Sequence, residues 1–243
     1  MASVSTDFRV RTLGSALGAV EIQRHCLQKP WRYSDLDRRQ REIAERVRRG
    51  GDGAILLSEV APVITLGRRT QDRDILGDPH FFSRMGVEIH PTDRGGLATY
   101  HGPGQWILFP VNHLQKLTGD SRGVRKGVMA LLEIACQVGR TYDSSVEIRE
   151  GCELGVWTAR GKFAAVGIHI EKGVLLHGLA INGFKTASSF VGLRPCGLDA
   201  PIDFLMKDGN ETDFLDLGER ILQQTFRYLG TKVDCNLNHS YNR

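Results

Sequence analysis

One segment constrains this chain more than any other: RGGLATYHGPGQW, residues 94–106, which sets four glycines, a proline and a histidine immediately before the apolar run ILFPV. Glycine in or beside a strand weakens it unless another backbone or a ligand has to come close. A phosphate-binding loop is excluded, because no Gly-Lys-Ser/Thr ending follows. The dinucleotide fingerprint is excluded as well, because no helical pattern follows GPGQ. Two readings stay open: a tight corner between strands, or a side-chain-free wall along which a long thin ligand lies.

The flanking sequence supplies those strands. GAILLSE (53–59), PVITLG (62–67), VEIHP (87–91), ATYH (98–101) and QWILFPV (105–111) read as short strands with glycine joints. ELGVWT, KFAAVGIHI and VLLHGLAING, within 153–183, form a strand-rich block whose last two members are joined by the turn EKG. Apolar residues at helical spacing predict helices over 36–50, 123–138 and 212–230, and ALGAVEIQRHCL (16–27) reads as a fourth. Helices bracketing a mixed, largely antiparallel sheet make the expected class α+β in a single domain.

Composition narrows the function classes. A chain of 243 residues with 41% hydrophobic and 25% charged residues is ordinary globular material. No apolar stretch nears the roughly 20 residues of a membrane span, and MASVSTDFRVRTLG lacks the apolar middle of a secretory signal. Five scattered cysteines without a C-x-x-C pair predict neither a disulfide framework nor a zinc knuckle and fit a reducing, cytoplasmic setting. A net charge of +4 permits an acidic partner but does not call for nucleic acid.

Two side chains carry potential chemistry. Lys162 opens the apolar strand KFAAVG; taken alone, it reads as a strand-end lysine reaching solvent. Cys196 lies between Pro195 and Gly197, a context that suits an oriented loop thiol, whereas Cys26, Cys136 and Cys235 read as small buried hydrophobes.

Taken in order, RGGLATYHGPGQW, GKFAAVGIHIEKGVLLHGLAING and PCG resemble the lipoyl(octanoyl) transferases of the biotin/lipoate protein ligase superfamily. SEVAPVITLGR (58–68) adds to the likeness. The resemblance implies a biotin/lipoate ligase-like fold, with an N-terminal extension over 1–14, a catalytic domain over 15–230 and a tail over 231–243. It implies that Cys196 takes an octanoyl group from the phosphopantetheine of acyl carrier protein as a thioester. The group would then pass to a lysine of a lipoyl domain or of the glycine-cleavage H protein. Thioester exchange is nearly isoenergetic, so neither ATP nor a metal is expected, nor is a membrane or nucleic-acid partner; the family implies a monomer.

Lys162 is implied to lower the Cys196 pKa and to act as general acid and base. Moving a thiol from about 8.5 to mostly thiolate at neutral pH takes roughly 2–3 kcal/mol. An ammonium about 4 Å away supplies about 4 kcal/mol at an effective dielectric near 20. The family's substrate contacts map onto Arg94, Gly95, Gly96, Leu97, Ala98, Thr99, Tyr100 and His101, onto Ala165, Val166 and Gly167, and onto Gly178, Leu179 and Ala180. His101 and amides near Gly167 or Gly197 are candidate oxyanion donors, and His177 also matches the family. Val60, Ile64 and Leu154 depart from its pattern. An ATP-dependent lipoate ligase and a non-catalytic binder of lipoyl domains or carrier protein are the alternatives.

Overall fold

The computed structural model describes residues 9–11, 19–24, 31–193 and 201–229. An eight-stranded sheet forms the centre. It is built from β1 (Arg9–Arg11), β2 (Ala19–Gln23), β3 (Ala54–Ser58), β7 (Gln105–His113), β8 (Glu147–Arg149), β9 (Gly155–Thr158), β10 (Gly161–Glu171) and β11 (Val174–Asn182). Its spatial order is β1-β2-β3-β7-β11-β10-β9-β8, antiparallel except for the parallel pair β2–β3. A second, three-stranded sheet orders β5 (Glu88–Pro91), β4 (Val63–Leu66) and β6 (Thr99–His101).

Helices cover both faces of the large sheet. On one side α3 (Leu114–Thr118), α4 (Val124–Gly139) and α5 (Glu211–Leu229) seal a core around Leu117, Leu131, Phe163, Leu179 and Phe214. On the other, α1 (Tyr33–Arg48) lays Leu36, Ile43 and Val47 on Leu56, Phe109 and Leu176. A third cluster, around Tyr100 and Phe82 of α2 (Pro79–Arg84), fills the small sheet. The turn EKG is the expected hairpin: Lys172 and Gly173 both have positive φ, 50° and 79°, which matches the right-handed twist of β10 and β11.

One predicted element is wrong. Residues 19–23, expected inside a helix, form β2 in parallel register with β3. Helical spacing across AVEIQ is outweighed by pairing with a strand over thirty positions away. The pairing also buries Glu21 against a bidentate Arg39 of α1, at 2.6 and 2.8 Å. Arg24 follows the strand without helical structure, and residues 16–18 and 25–27 of that predicted helix lie outside the described residues.

Candidate active site

The glycine-rich segment approaches β10. The Gly95 amide donates to the Ile168 carbonyl at 2.9 Å, so the loop lies along that strand. Arg94 folds the loop on itself: its buried guanidinium makes five hydrogen bonds, to the Thr65 carbonyl and hydroxyl and to the carbonyls of Gly95 and Leu97. Arg94 therefore shapes the cleft by tying the loop to β4.

Beneath the loop runs a cleft floored by paired small residues. Ala165 faces Ala180 and Gly167 faces Gly178 in the β10–β11 register. A Cβ on Gly178 would stand 2.1 Å from the Leu108 carbonyl oxygen, so only glycine lets β7 close on β11 here. Arg94, Gly95, Gly96, Leu97, Thr99 and His101 form the opposite wall, and Val166 and Leu179 border the floor. Ala98 and Tyr100 do not line the cleft. Strand alternation turns them into the third core cluster, where the Tyr100 hydroxyl lies 2.7 Å from Ser188 Oγ.

At one end the cleft narrows between Thr99, Ala165 and Ala180 and reaches Lys162. The lysine is not the solvent-reaching residue its position suggested; it is only 5% exposed. Its Nζ donates to the Leu154 carbonyl at 2.6 Å and stands 5.7 Å from the Trp157 ring centroid. Gly155 makes the room: a Cβ there would fall 2.3 Å from Lys162 Cε. The described chain resumes at Pro201, whose carbonyl accepts from the Lys162 amide at 2.9 Å, while the Asp203 amide donates to the Lys162 carbonyl at 3.0 Å. Cys196, the predicted nucleophile, and Gly197 lie outside the described residues, as do Cys26 and Cys235; Cys136 is buried, as expected.

A hydrogen-bond chain fixes the state of His101. Asn182 Nδ2 donates to the Asp203 carbonyl, so its Oδ1 accepts from Gln105 Nε2 at 2.8 Å. Gln105 Oε1 must then accept from His101 Nδ1, 2.6 Å away. Burial, with Arg94 nearby, pushes the His101 pKa down to about 3, so the ring is neutral with its proton on Nδ1. Nε2 is left as an acceptor. In that tautomer Nε2 carries no proton to donate to an oxyanion.

His177 closes the other end. Its amide donates to Gln40 Oε1, so Gln40 Nε2 faces His177 Nδ1 as a donor at 3.2 Å, beside the Tyr33 hydroxyl, also at 3.2 Å. The proton therefore sits on Nε2, 2.6 Å from Asp93 Oδ1. That hydrogen bond holds the Asp93 carboxyl far below the usual carboxylate range, and burial lowers the His177 pKa. His177 carries a φ of 59°, which turns its side chain off the alternating pattern of β11 and towards α1.

A family model, the lipoyl protein ligase A/B catalytic domain, matches residues 36–225. The chain belongs to this lipoyl protein ligase A/B family. An octanoyltransferase of Alkaliphilus metalliredigens is 34% identical over 160 residues, 65% of this chain and 72% of that protein. Another, of Caldicellulosiruptor bescii, is 34% identical over 190 residues, 78% and 77% of the two chains. A lipoate-protein ligase A structure bound with ATP superposes with a TM-score of 0.58 at 14% identity, over 78% of this chain and 81% of that one, a likeness of fold. The expected α+β, lipoate ligase-like architecture is the one found.

The departures from the family pattern lie away from the cleft wall. Val60 and Ile64 are buried in the second and third core clusters. Leu154 holds Lys162 through its main-chain carbonyl, a group any residue supplies. Sequence reasoning missed Tyr33, Phe109, Gln105, Asn182 and Asp93. Gln105 and Asn182 lie inside the quoted motifs and could have been noticed as the polar residues of apolar strands. Tyr33 carries no such signal, because helix α1 reaches the cleft only through the tertiary fold.

Proposed function

We propose that this lipoylation acyltransferase carries an octanoyl group from acyl carrier protein to a lysine of a lipoyl domain through a thioester on Cys196. The observation that carries the reading is Lys162: a buried lysine at the narrow end of a cleft floored by alanine and glycine, with its backbone bonded to residues 201–203. Pro201 is five positions beyond Cys196. The octanoyltransferase relatives support the transfer itself.

In the first step the Cys196 thiolate attacks the carrier thioester carbonyl, and the carrier thiolate leaves and takes up the proton that Lys162 helps to deliver. In the second, the amine of the acceptor lysine attacks the acyl-cysteine. Its proton passes to Lys162, the Cys196 thiolate is released, and an amide remains. The reading takes no ATP and no metal, since each bond broken is a thioester.

The test is intact mass after mixing the protein with octanoyl-carrier protein, without ATP, beside Cys196→Ser. A hydroxylamine-labile adduct on the wild type, missing from the variant, is expected. Octanoate attachment to a lipoyl domain only when ATP is added would replace this reading with the ligase one.

A further inference from the structure

Three strands rank the residues of the cleft in the same order. Gln105 pairs with Asn182 at the Lys162 end, Ile107 and Ala165 both pair with Ala180 in the middle, and Gly167 pairs with Gly178 beyond. Phe109 stands four positions past Gln105 on β7, about 13 Å at roughly 3.3 Å per residue. An extended eight-carbon acyl chain has seven bonds between its carbons and spans roughly 8–9 Å at about 1.2 Å per bond. A chain with its carbonyl beside Lys162 thus ends about 4 Å short of the Phe109 rank, one van der Waals contact.

What stands there is the Tyr33 ring. It is fully buried, packs edge-on to Phe109 with centroids 6.4 Å apart and stacks on His101 at 5.5 Å. Its hydroxyl meets His177, which Gln40 and Asp93 hold from three further directions. The ring cannot swing aside without taking its buried hydroxyl from His177 Nδ1. Two more methylenes, about 2.4 Å, must therefore overpack.

We propose that the Tyr33 ring, braced by His177 and Asp93, is the end wall of the acyl cleft and sets the chain length accepted, an inference that rests on the acyl-transfer reading. The test compares transfer rates to a lipoyl domain from carrier proteins bearing 6-, 8-, 10- and 12-carbon chains, for wild type, Tyr33→Leu, Tyr33→Phe and Tyr33→Trp, with melting curves confirming that each is folded. Each methylene that gains a buried place is worth about fourfold. Tyr33→Leu should raise the 12-to-8 carbon ratio by on the order of tenfold. Tyr33→Phe keeps the ring and should hold the optimum at eight, whatever it does to the rate, and Tyr33→Trp should move it towards six. An unchanged length profile in folded Tyr33→Leu, or in folded Tyr33→Trp if the leucine variant does not fold, overturns the proposal. Free fatty acids of the same lengths, their binding read by native mass spectrometry, separate the two claims. If wild type transfers no acyl group, the transfer reading fails, and the end wall stands or falls on whether the bound-length optimum moves with residue 33.

Discussion

Gly178→Ala places one methyl group where the strands permit none. The added Cβ would lie 2.1 Å from the Leu108 carbonyl oxygen, whereas carbon–oxygen contacts between strands settle near roughly 3.3 Å. β7 and β11 would have to part by about 1 Å next to the Leu179–Leu108 pair, in the middle of the sheet. Overpacking costs about 1–3 kcal/mol, and one or two weakened ladder bonds add about 1 kcal/mol each. A total near 3–4 kcal/mol lowers the melting temperature by roughly 6–15 °C for a chain of this size. The assay is thermal unfolding followed by circular dichroism, with Gly127→Ala as the opposite case. Gly127 lies in α4, and a Cβ there meets nothing nearer than 3.5 Å. That variant should gain up to about 1 kcal/mol of helix propensity and melt a few degrees higher. A Gly178→Ala protein melting within about 2 °C of wild type would refute the close-approach argument.

Lys162→Met keeps most of the buried stem but removes the ammonium; transfer measured by mass spectrometry should fall at least about 100-fold, while the melt shifts by only a few degrees. Asp93→Asn tests the brace at the cleft end. Because the native carboxyl is held below its ordinary value, its contribution is present above the unfolded value of about 3.9 and is lost as pH falls through the native one. Wild type should therefore exceed Asp93→Asn in urea-unfolding stability at pH 6, with the gap closing towards pH 2; a gap that widens on acidification contradicts the assignment. His101 is neutral, so its ring NMR signals should stay flat from pH 5 to 8, and a midpoint near 6.5 would show the buried hydrogen-bond chain to be absent.

Much of this molecule could be read locally. The strands of β7, β10 and β11 follow from β-branched and apolar runs punctuated by glycine, and the hairpin between β10 and β11 follows from a two-residue turn. The segments 94–101, 165–167 and 178–180 were mapped through the family resemblance, which rests on contiguous motifs. Twelve of the fourteen mapped contact positions line the cleft, and the two that do not are Ala98 and Tyr100. Local reading failed where a long-range partner decides the outcome, as at β2, whose strand conformation depends on β3.

Residue identity and spacing alone determined the α+β class and the motif order, and the likeness of those motifs to the lipoyl(octanoyl) transferases implied the small contact residues and the pairing of Lys162 with Cys196. Three matters were left to the tertiary structure. Burial of Lys162 depends on Gly155 and Leu154 from the neighbouring strand edge. The proton positions on His101 and His177 depend on amide side chains from β7, β11 and α1. The end of the cleft depends on Tyr33, over sixty positions from the motif it closes. The physical reason is common to all three: charge state, tautomer and cavity depth are set by desolvation and hydrogen-bond partners brought in from distant chain segments, and no local pattern of residues encodes those neighbours.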